Sequence, residues 1–287
     1  MERFAEKRSA VIGVGEMRTA VCCTGRGTLA LFDVDGTLRE QDRRMGAEMA
    51  RYFVALASSL EDGRIGVVSG ASVRSLNTNF VIPLVAQMRE VGFYPNVWAV
   101  ANGGSRVMAV RAGQLVHEYD EPSLSGYEKM KIIDAVQKKG MIEMLGGVLR
   151  KTPRIYDRGS QMAIALIPDA TSEERSGFDP DGTYRDTWIA DLTNLVPKTL
   201  IVERSGRTTV TVRNSVDKLF AVEELAKRNG WDLSRLVYVG DEMHKGGNDY
   251  PMVRGAERYG YSCVVVSGPA ETEIAMSTLM ELRRKEA

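Results

Sequence analysis

Five short apolar runs, Thr28 to Phe32, Ile65 to Val68, Val97 to Ala101, Leu236 to Val239 and Val264 to Val266, each stop at a polar or glycine-containing step. Runs of this length bounded in this way predict strands buried on both faces. Between them lie helical patterns. Met45, Met49, Phe53, Leu56 and Leu60 recur at spacings of three and four, Ser72 is an N-cap candidate for a further helix, and Leu219 to Asn229 is helical again. Strands alternating with helices predict an α/β chain with a parallel sheet and helices on both faces, and such sheets hold their ligands at the carboxyl ends of the strands.

The rhythm changes beyond Asn102-Gly103. Arg106 to Val110 and Gln114 to Glu118 predict a hairpin around Ala112-Gly113. A helix on Tyr127, Met130, Ile133 and Val136 follows, then an alternating strand on Met162, Ile164 and Leu166 and a helix on Trp188, Leu192 and Leu195. Strands at Thr199 to Glu203 and Thr208 to Val212 complete the series. That order is one of a small α+β domain. The expected organisation is an N-terminal extension (1–26), a discontinuous core (27–118 and 214–287) and an inserted cap (119–213).

Composition narrows the function. The 287 residues carry 38 basic and 38 acidic side chains, which gives no global attraction to nucleic acid or an anionic membrane. No apolar run approaches the roughly 20 residues of a bilayer span. Cys22, Cys23 and Cys263 have neither disulfide nor metal spacing, so a reducing, cytoplasmic setting is expected, with organelle targeting by residues 1–26 left open.

The chemistry centres on Asp33-Val34-Asp35-Gly36-Thr37. Two carboxylates one residue apart project to the same side at a strand end, so one can attack while the other moves a proton. Gly36 lets the chain turn and Thr37 brings donors toward a phosphate. Taken alone the letters also describe a plain turn. Phe178-Asp179-Pro180-Asp181-Gly182-Thr183 repeats them without a preceding apolar strand and reads as a turn leading into the Trp188 helix.

Partners in order separate the two. Ser69-Gly70 follows the second strand, Lys218 opens a helix, and Asp241 follows a later strand ahead of Gly246-Gly247-Asn248-Asp249. This set resembles the four motifs of the haloacid dehalogenase superfamily, subclass IIB. The resemblance implies a Rossmann-like parallel-sheet core with a type C2 α+β cap. It also implies Asp33 as nucleophile, Asp35 as acid/base, Ser69 and Lys218 holding the phosphoryl group, and Thr37 and Gly70 beside it. Mg²⁺ would be held by Asp33, Asp35 and Asp241, with Asn248 and Asp249 supporting. The stretch Val239 to Tyr250 and the step Asp217-Lys218 further resemble eukaryotic-type phosphomannomutases and their bacterial hydrolase relatives over roughly residues 28 to 270.

One segment departs from that pattern. Where phosphomannomutase caps carry an Ile-Glu-Phe-Arg-Asn-Gly-Met-type segment, this chain has Ile155-Tyr156-Asp157-Arg158-Gly159-Ser160-Gln161-Met162. Arg158 suits a substrate anion because its planar fork matches phosphate or carboxylate, and Gln161 is a weaker candidate. Arg150 and Lys151 read first as a solvated basic face. The expectation is a Mg²⁺-dependent phosphohydrolase acting on a small phosphorylated metabolite such as a sugar phosphate, with no nucleic-acid or membrane partner and a homodimer as a compatible assembly. A phosphomannomutase-like isomerase is the alternative. A catalytically silent binding protein on the same fold is the rival from another class, and loss of Asp33, Asp35, Lys218 or Asp241 would be its sign.

Overall fold

The computed structural model describes residues 10–20, 28–41, 43–205 and 207–286. Its strands are β1 (Val11–Gly13), β2 (Leu29–Phe32), β3 (Ile65–Val68), β4 (Val97–Ala101), β5 (Arg106–Arg111), β6 (Gln114–Asp120), β7 (Arg154–Asp157), β8 (Gln161–Ala165), β9 (Ile201–Ser205), β10 (Thr209–Arg213), β11 (Leu236–Gly240) and β12 (Ser262–Val265). The helices are α1 (Met17–Ala20), α2 (Ala47–Ser59), α3 (Val73–Leu76), α4 (Ile82–Val91), α5 (Gly126–Leu145), α6 (Ser172–Phe178), α7 (Thr183–Leu195), α8 (Lys218–Asn229), α9 (Tyr250–Tyr259) and α10 (Pro269–Glu286). None of them is long and apolar enough to cross a membrane, among the described residues. Contacts divide the chain into one unit of residues 1–119 and 217–287 and a second of residues 120–216.

The first unit is built on an eight-stranded sheet in the order β1-β12-β11-β2-β3-β4-β5-β6. The strands from β1 to β4 in that order are parallel, and β5 turns antiparallel to β4. Alternation along each strand feeds two cores. Ala30 and Phe32 pack with Met49, Phe53 and Phe80 beneath α2, α4 and α10, whereas Leu29 and Leu31 pack with Ala221, Leu225 and Met252 beneath α8 and α9. Phe53 bridges Phe32 and Phe80 at centroid distances of 5.6 and 5.4 Å. Ser72 caps α3 by accepting from the Ser75 amide, as its sequence position predicts.

One sequence expectation needs correction here. Residues 11–20 are not an appendage, for β1 pairs with β12 from Val11–Cys263 to Gly13–Val265, and Ile12 and Met17 are buried. A parallel strand at a sheet edge satisfies the backbone groups that β12 would otherwise expose, and three residues are too few to show a period. Cys22 and Cys23 lie outside the described residues. The hairpin interrupts the parallel pattern as expected, β5 running antiparallel to β4, and β5 and β6 extend the sheet as its far edge.

The second unit is a four-stranded antiparallel sheet, β7-β8-β10-β9, with α5 and α7 on one face. Its core gathers Met162, Ile164, Val210 and Val212 against Ile132, Val136, Trp188 and Leu192. The α5 face differs from the sequence expectation. Tyr127 and Met130 are exposed, and Ile132, Ala135, Val136 and Lys139 are buried. Spacings of three lag the helix by about 60° each, so a series from 127 to 136 drifts halfway round the axis. Leu195 is likewise exposed at the end of α7. Asn214 ties the two chain segments that leave this unit, donating to the Pro122 carbonyl at 2.7 Å and accepting from the Val216 amide at 3.0 Å.

Candidate active site

Parallel register brings the carboxyl ends of β2, β3 and β11 side by side. Phe32 is level with Val67 on one neighbour and Val239 on the other, so Asp33, Ser69 and Asp241 leave the sheet at one edge. Asp33 keeps its amide in the ladder, donating to the Val239 carbonyl at 2.8 Å, and its side chain is buried.

Gly36 then turns the chain at φ +85°. A Cβ there would lie 2.1 Å from Asp241 Oδ2, so only glycine lets the loop pass beneath that carboxylate. Thr37, fully buried, donates its hydroxyl to Asp241 Oδ1 at 3.4 Å, and its carbonyl accepts from the Thr272 hydroxyl at 2.8 Å.

Lys218 is the first residue of α8, capped by Asp217, which accepts from the Phe220 amide at 2.9 Å. Its buried ammonium donates to Asp33 Oδ1 at 2.5 Å and to Asp249 Oδ1 at 2.7 Å. A buried ammonium is tolerable only with such partners, and their charge holds its pKa above the ordinary lysine value despite burial. Burial pushes Asp33 well up, with the carboxylates of Asp249 and Asp241 adding to the shift and Lys218 opposing it. Asp241, half-buried, is pushed up to about 6 by burial first and then by Asp249 and Glu242.

One oxygen stands apart. Asp33 Oδ2 is buried and has no hydrogen-bond partner. Buried polar atoms are nearly always satisfied, so an orphan on a carboxylate marks where a reactant or cation belongs. Asp33, Asp241 and Asp249 offer oxygens within 4.8 Å of one another, the hard-oxygen donor set that suits Mg²⁺. Asp249 is already engaged: Oδ1 receives Lys218 and the Tyr238 hydroxyl, and Oδ2 receives the Glu242 amide at 3.1 Å. All three could contribute to a cation site, with Asp33 and Asp241 less engaged than Asp249, which also receives Lys218.

The other expected site residues fall as follows. Asp35 is ion-paired with Arg39, a buried guanidinium, and its side chain is not part of the three-carboxylate cluster. Asn248 is exposed at the late loop and likewise outside the cluster, its amide donating to Glu242 Oε2 at 3.2 Å. Its side-chain oxygen would lie 3.9 Å from a Cβ at Gly70, so this loop and the end of β3 are neighbours. Ser69 is buried and accepts from the Ala71 amide at 3.0 Å.

Arg158 and Gln161 belong to the second unit, at the turn joining β7 to β8, where the Arg158 amide donates to the Gln161 carbonyl at 2.9 Å. Arg154 makes two bonds to Asp169, at 2.8 and 2.9 Å, and Arg150 and Lys151 are exposed. The repeated letters at Asp179 serve structure: its carboxylate receives the Tyr184 and Arg185 amides and the Arg185 guanidinium, fixing the start of α7.

No family model matches the chain. It is 24% identical over 263 residues to a phosphomannomutase of Nicotiana benthamiana, covering 86% of this chain and 91% of that one. A phosphomannomutase of Spinacia oleracea is also 24% identical over 263 residues, with 90% and 97% covered. Among solved structures, the IMP-nucleotidase of Plasmodium falciparum superposes with a TM-score of 0.62 at 16% identity, over 89% of this chain and 68% of that one. Trehalose-6-phosphate phosphatase of Aspergillus fumigatus gives 0.53 at 15%, over 95% and 99%. The curated relatives share most of their length with this chain, and the solved phosphatases share its fold, in keeping with the resemblance to the haloacid dehalogenase superfamily.

Two residues of this site escape sequence reading. Tyr238 looks like one more apolar residue of a buried strand, yet its hydroxyl reaches Asp249. The only hint is a hydroxyl in the otherwise aliphatic Leu236-Val237-Tyr238-Val239. Arg39 sits in the polar run Arg39-Glu40-Gln41-Asp42-Arg43-Arg44, where nothing marks it as buried.

Proposed function

We propose that the protein is a Mg²⁺-dependent phosphohydrolase that cleaves a small phosphorylated metabolite, a sugar phosphate, through an aspartyl-phosphate intermediate. The observation that carries this reading is the divided carboxylate of Asp33, with Lys218 on Oδ1 and no hydrogen-bond partner on the buried Oδ2. Oδ2 attacks phosphorus as the bond to the leaving oxygen breaks, and Asp35 gives that oxygen its proton. Asp35 then takes a proton from water as the water oxygen bonds to phosphorus and the Asp33–phosphorus bond breaks. Its ion pair with Arg39 has to open each time it carries a proton.

Lys218, Ser69 and Thr37 serve as donors to the phosphoryl oxygens. Positioning and charge stabilisation of this kind are most of phosphoryl-transfer catalysis. Asp33 and Asp241 would hold Mg²⁺, which supplies further neutralisation of phosphoryl charge when bound. Arg158 is the proposed grip on a substrate anion.

The metal proposal carries a pH dependence. Asp241, its pKa pushed up to about 6 chiefly by burial, must be ionised to ligate. Its protonated form is favoured below that value. Mg²⁺ affinity measured by calorimetry is therefore expected to fall at least about tenfold per pH unit below about pH 6, the raised pKa of Asp33 adding to the fall. A flat profile down to about pH 5 would remove Asp241 as a ligand.

The second reading is a phosphomannomutase-like isomerase, favoured by the near full-length similarity to proteins of that name. The substituted segment Ile155 to Met162 ranks it second. A mutase must retain a bisphosphorylated sugar through turnover, and a hydrolase need only release product. Purified protein with Mg²⁺ is expected to release inorganic phosphate from members of a sugar-phosphate panel. No release, with interconversion of mannose 1- and 6-phosphates under a bisphosphate activator, would reverse the ranking. Neither activity would favour the silent binding protein.

A further inference from the structure

Tyr238 stands with its ring in an apolar layer and its hydroxyl in the charged cluster. Its backbone pairs level with Leu31 on β2 and Cys263 on β12, and the ring is fully buried among Leu29, Leu31, Met252 and Cys263. The strand neighbours Val237 and Val239 face the opposite core. For packing alone phenylalanine would serve, and it would spare the cost of burying a hydroxyl.

The hydroxyl both donates and accepts. It donates to Asp249 Oδ1, the same oxygen that receives the Lys218 ammonium, and accepts from that ammonium at 3.5 Å. The other oxygen of Asp249 is held by the Glu242 amide at 3.1 Å. Gly240 packs under both groups: a Cβ there would fall 2.5 Å from Asp249 Oδ2 and 3.1 Å from the Tyr238 ring. Asp249 is therefore fixed from two sides before Lys218 reaches it.

We propose that Tyr238 is a positioning residue for phosphoryl transfer: through Asp249 it aims the Lys218 ammonium at Asp33 Oδ1 and so reserves Oδ2 for attack. The inference rests on the phosphohydrolase reading above. A lysine ammonium can rotate among acceptors, so without the tyrosine hydroxyl Asp249 Oδ1 is free to turn and take Lys218 with it. The loss would fall on the chemical step, since Lys218 stabilises charge that develops during transfer.

Tyr238→Phe keeps the ring and removes only the hydroxyl. The variant is expected to lower kcat about tenfold to a hundredfold, with KM changed less than about threefold and the melting temperature within about 3 °C of the wild type. Crystals of both proteins without substrate give a readout independent of turnover. In the variant Lys218 Nζ is expected to leave Asp33 Oδ1 for a distance beyond hydrogen bonding.

Unchanged kcat, or a Lys218 that keeps both contacts in the variant, overturns the proposal. So does a loss confined to KM. If the wild type turns over no phosphorylated substrate, the phosphohydrolase reading fails. The crystallographic comparison then still decides whether Tyr238 positions Lys218.

Discussion

Asp33→Asn is expected to lower phosphate release on the order of 10⁴-fold or more, the scale set by removing a covalent nucleophile. An amide oxygen is too poor a nucleophile to form the acyl phosphate, and Asp249 is committed to Lys218, Tyr238 and the Glu242 amide. The same substitution should raise, not lower, the stability of the metal-free protein. Burial and the carboxylates of Asp249 and Asp241 push the Asp33 pKa up in the folded state.

A carboxyl whose folded pKa exceeds its unfolded value contributes stability below the unfolded pKa and loses it as pH rises through the folded one. At pH 7 to 8 an ionised Asp33 is thus a cost that asparagine removes, while Lys218 keeps Asp249 as its counter-charge. Calorimetric melting in Mg²⁺-free buffer should give a higher Tm for Asp33→Asn than for the wild type. Retained turnover would eliminate Asp33 as nucleophile, and a lower Tm would show that the ion pair outweighs the burial cost.

That opposition between activity and stability explains which parts of the molecule can be read from sequence. The strands that carry Asp33, Ser69 and Asp241 are legible because each is an unbroken apolar run, and a parallel sheet aligns their ends without further information. The α2 stripe of Met49, Phe53 and Leu56 is legible for the same reason, one period satisfied over a long element. What depends on a distant partner is not. Val11–Gly13 is a strand only because β12 offers an edge. Asp249 is a metal-site letter in sequence, but nothing there shows that its oxygens also receive Lys218, Tyr238 and the Glu242 amide. Arg39 is buried against Asp35 by a local bridge that no periodicity announces. Where a single spacing was extended too far, as along α5, helical geometry carried the expected face away from the core.

Lys218→Met tests the remaining half of the charge balance. Methionine fills much of the same volume and leaves Asp33 and Asp249 without the ammonium that pairs with both. Removing one partner from a buried ion pair costs about 3–5 kcal/mol, because the surviving charge stays out of water uncompensated. Against a typical total of about 5–15 kcal/mol that is enough to threaten the fold.

The cost has a pH signature with a definite sign. With Lys218 gone, the carboxyl pKa values of the cluster rise further in the folded state, so the penalty grows as pH rises and is relieved as they protonate. Urea unfolding is expected to show the full deficit near pH 8 and a smaller one near pH 5, with Mg²⁺ recovering part of it near pH 8. Turnover should be lost at every pH, since methionine offers no charge to the transferring group. A deficit below about 1 kcal/mol near pH 8, or one that widens on acidification, would mean that Lys218 is not the counter-charge that makes a buried, half-unpartnered Asp33 tolerable.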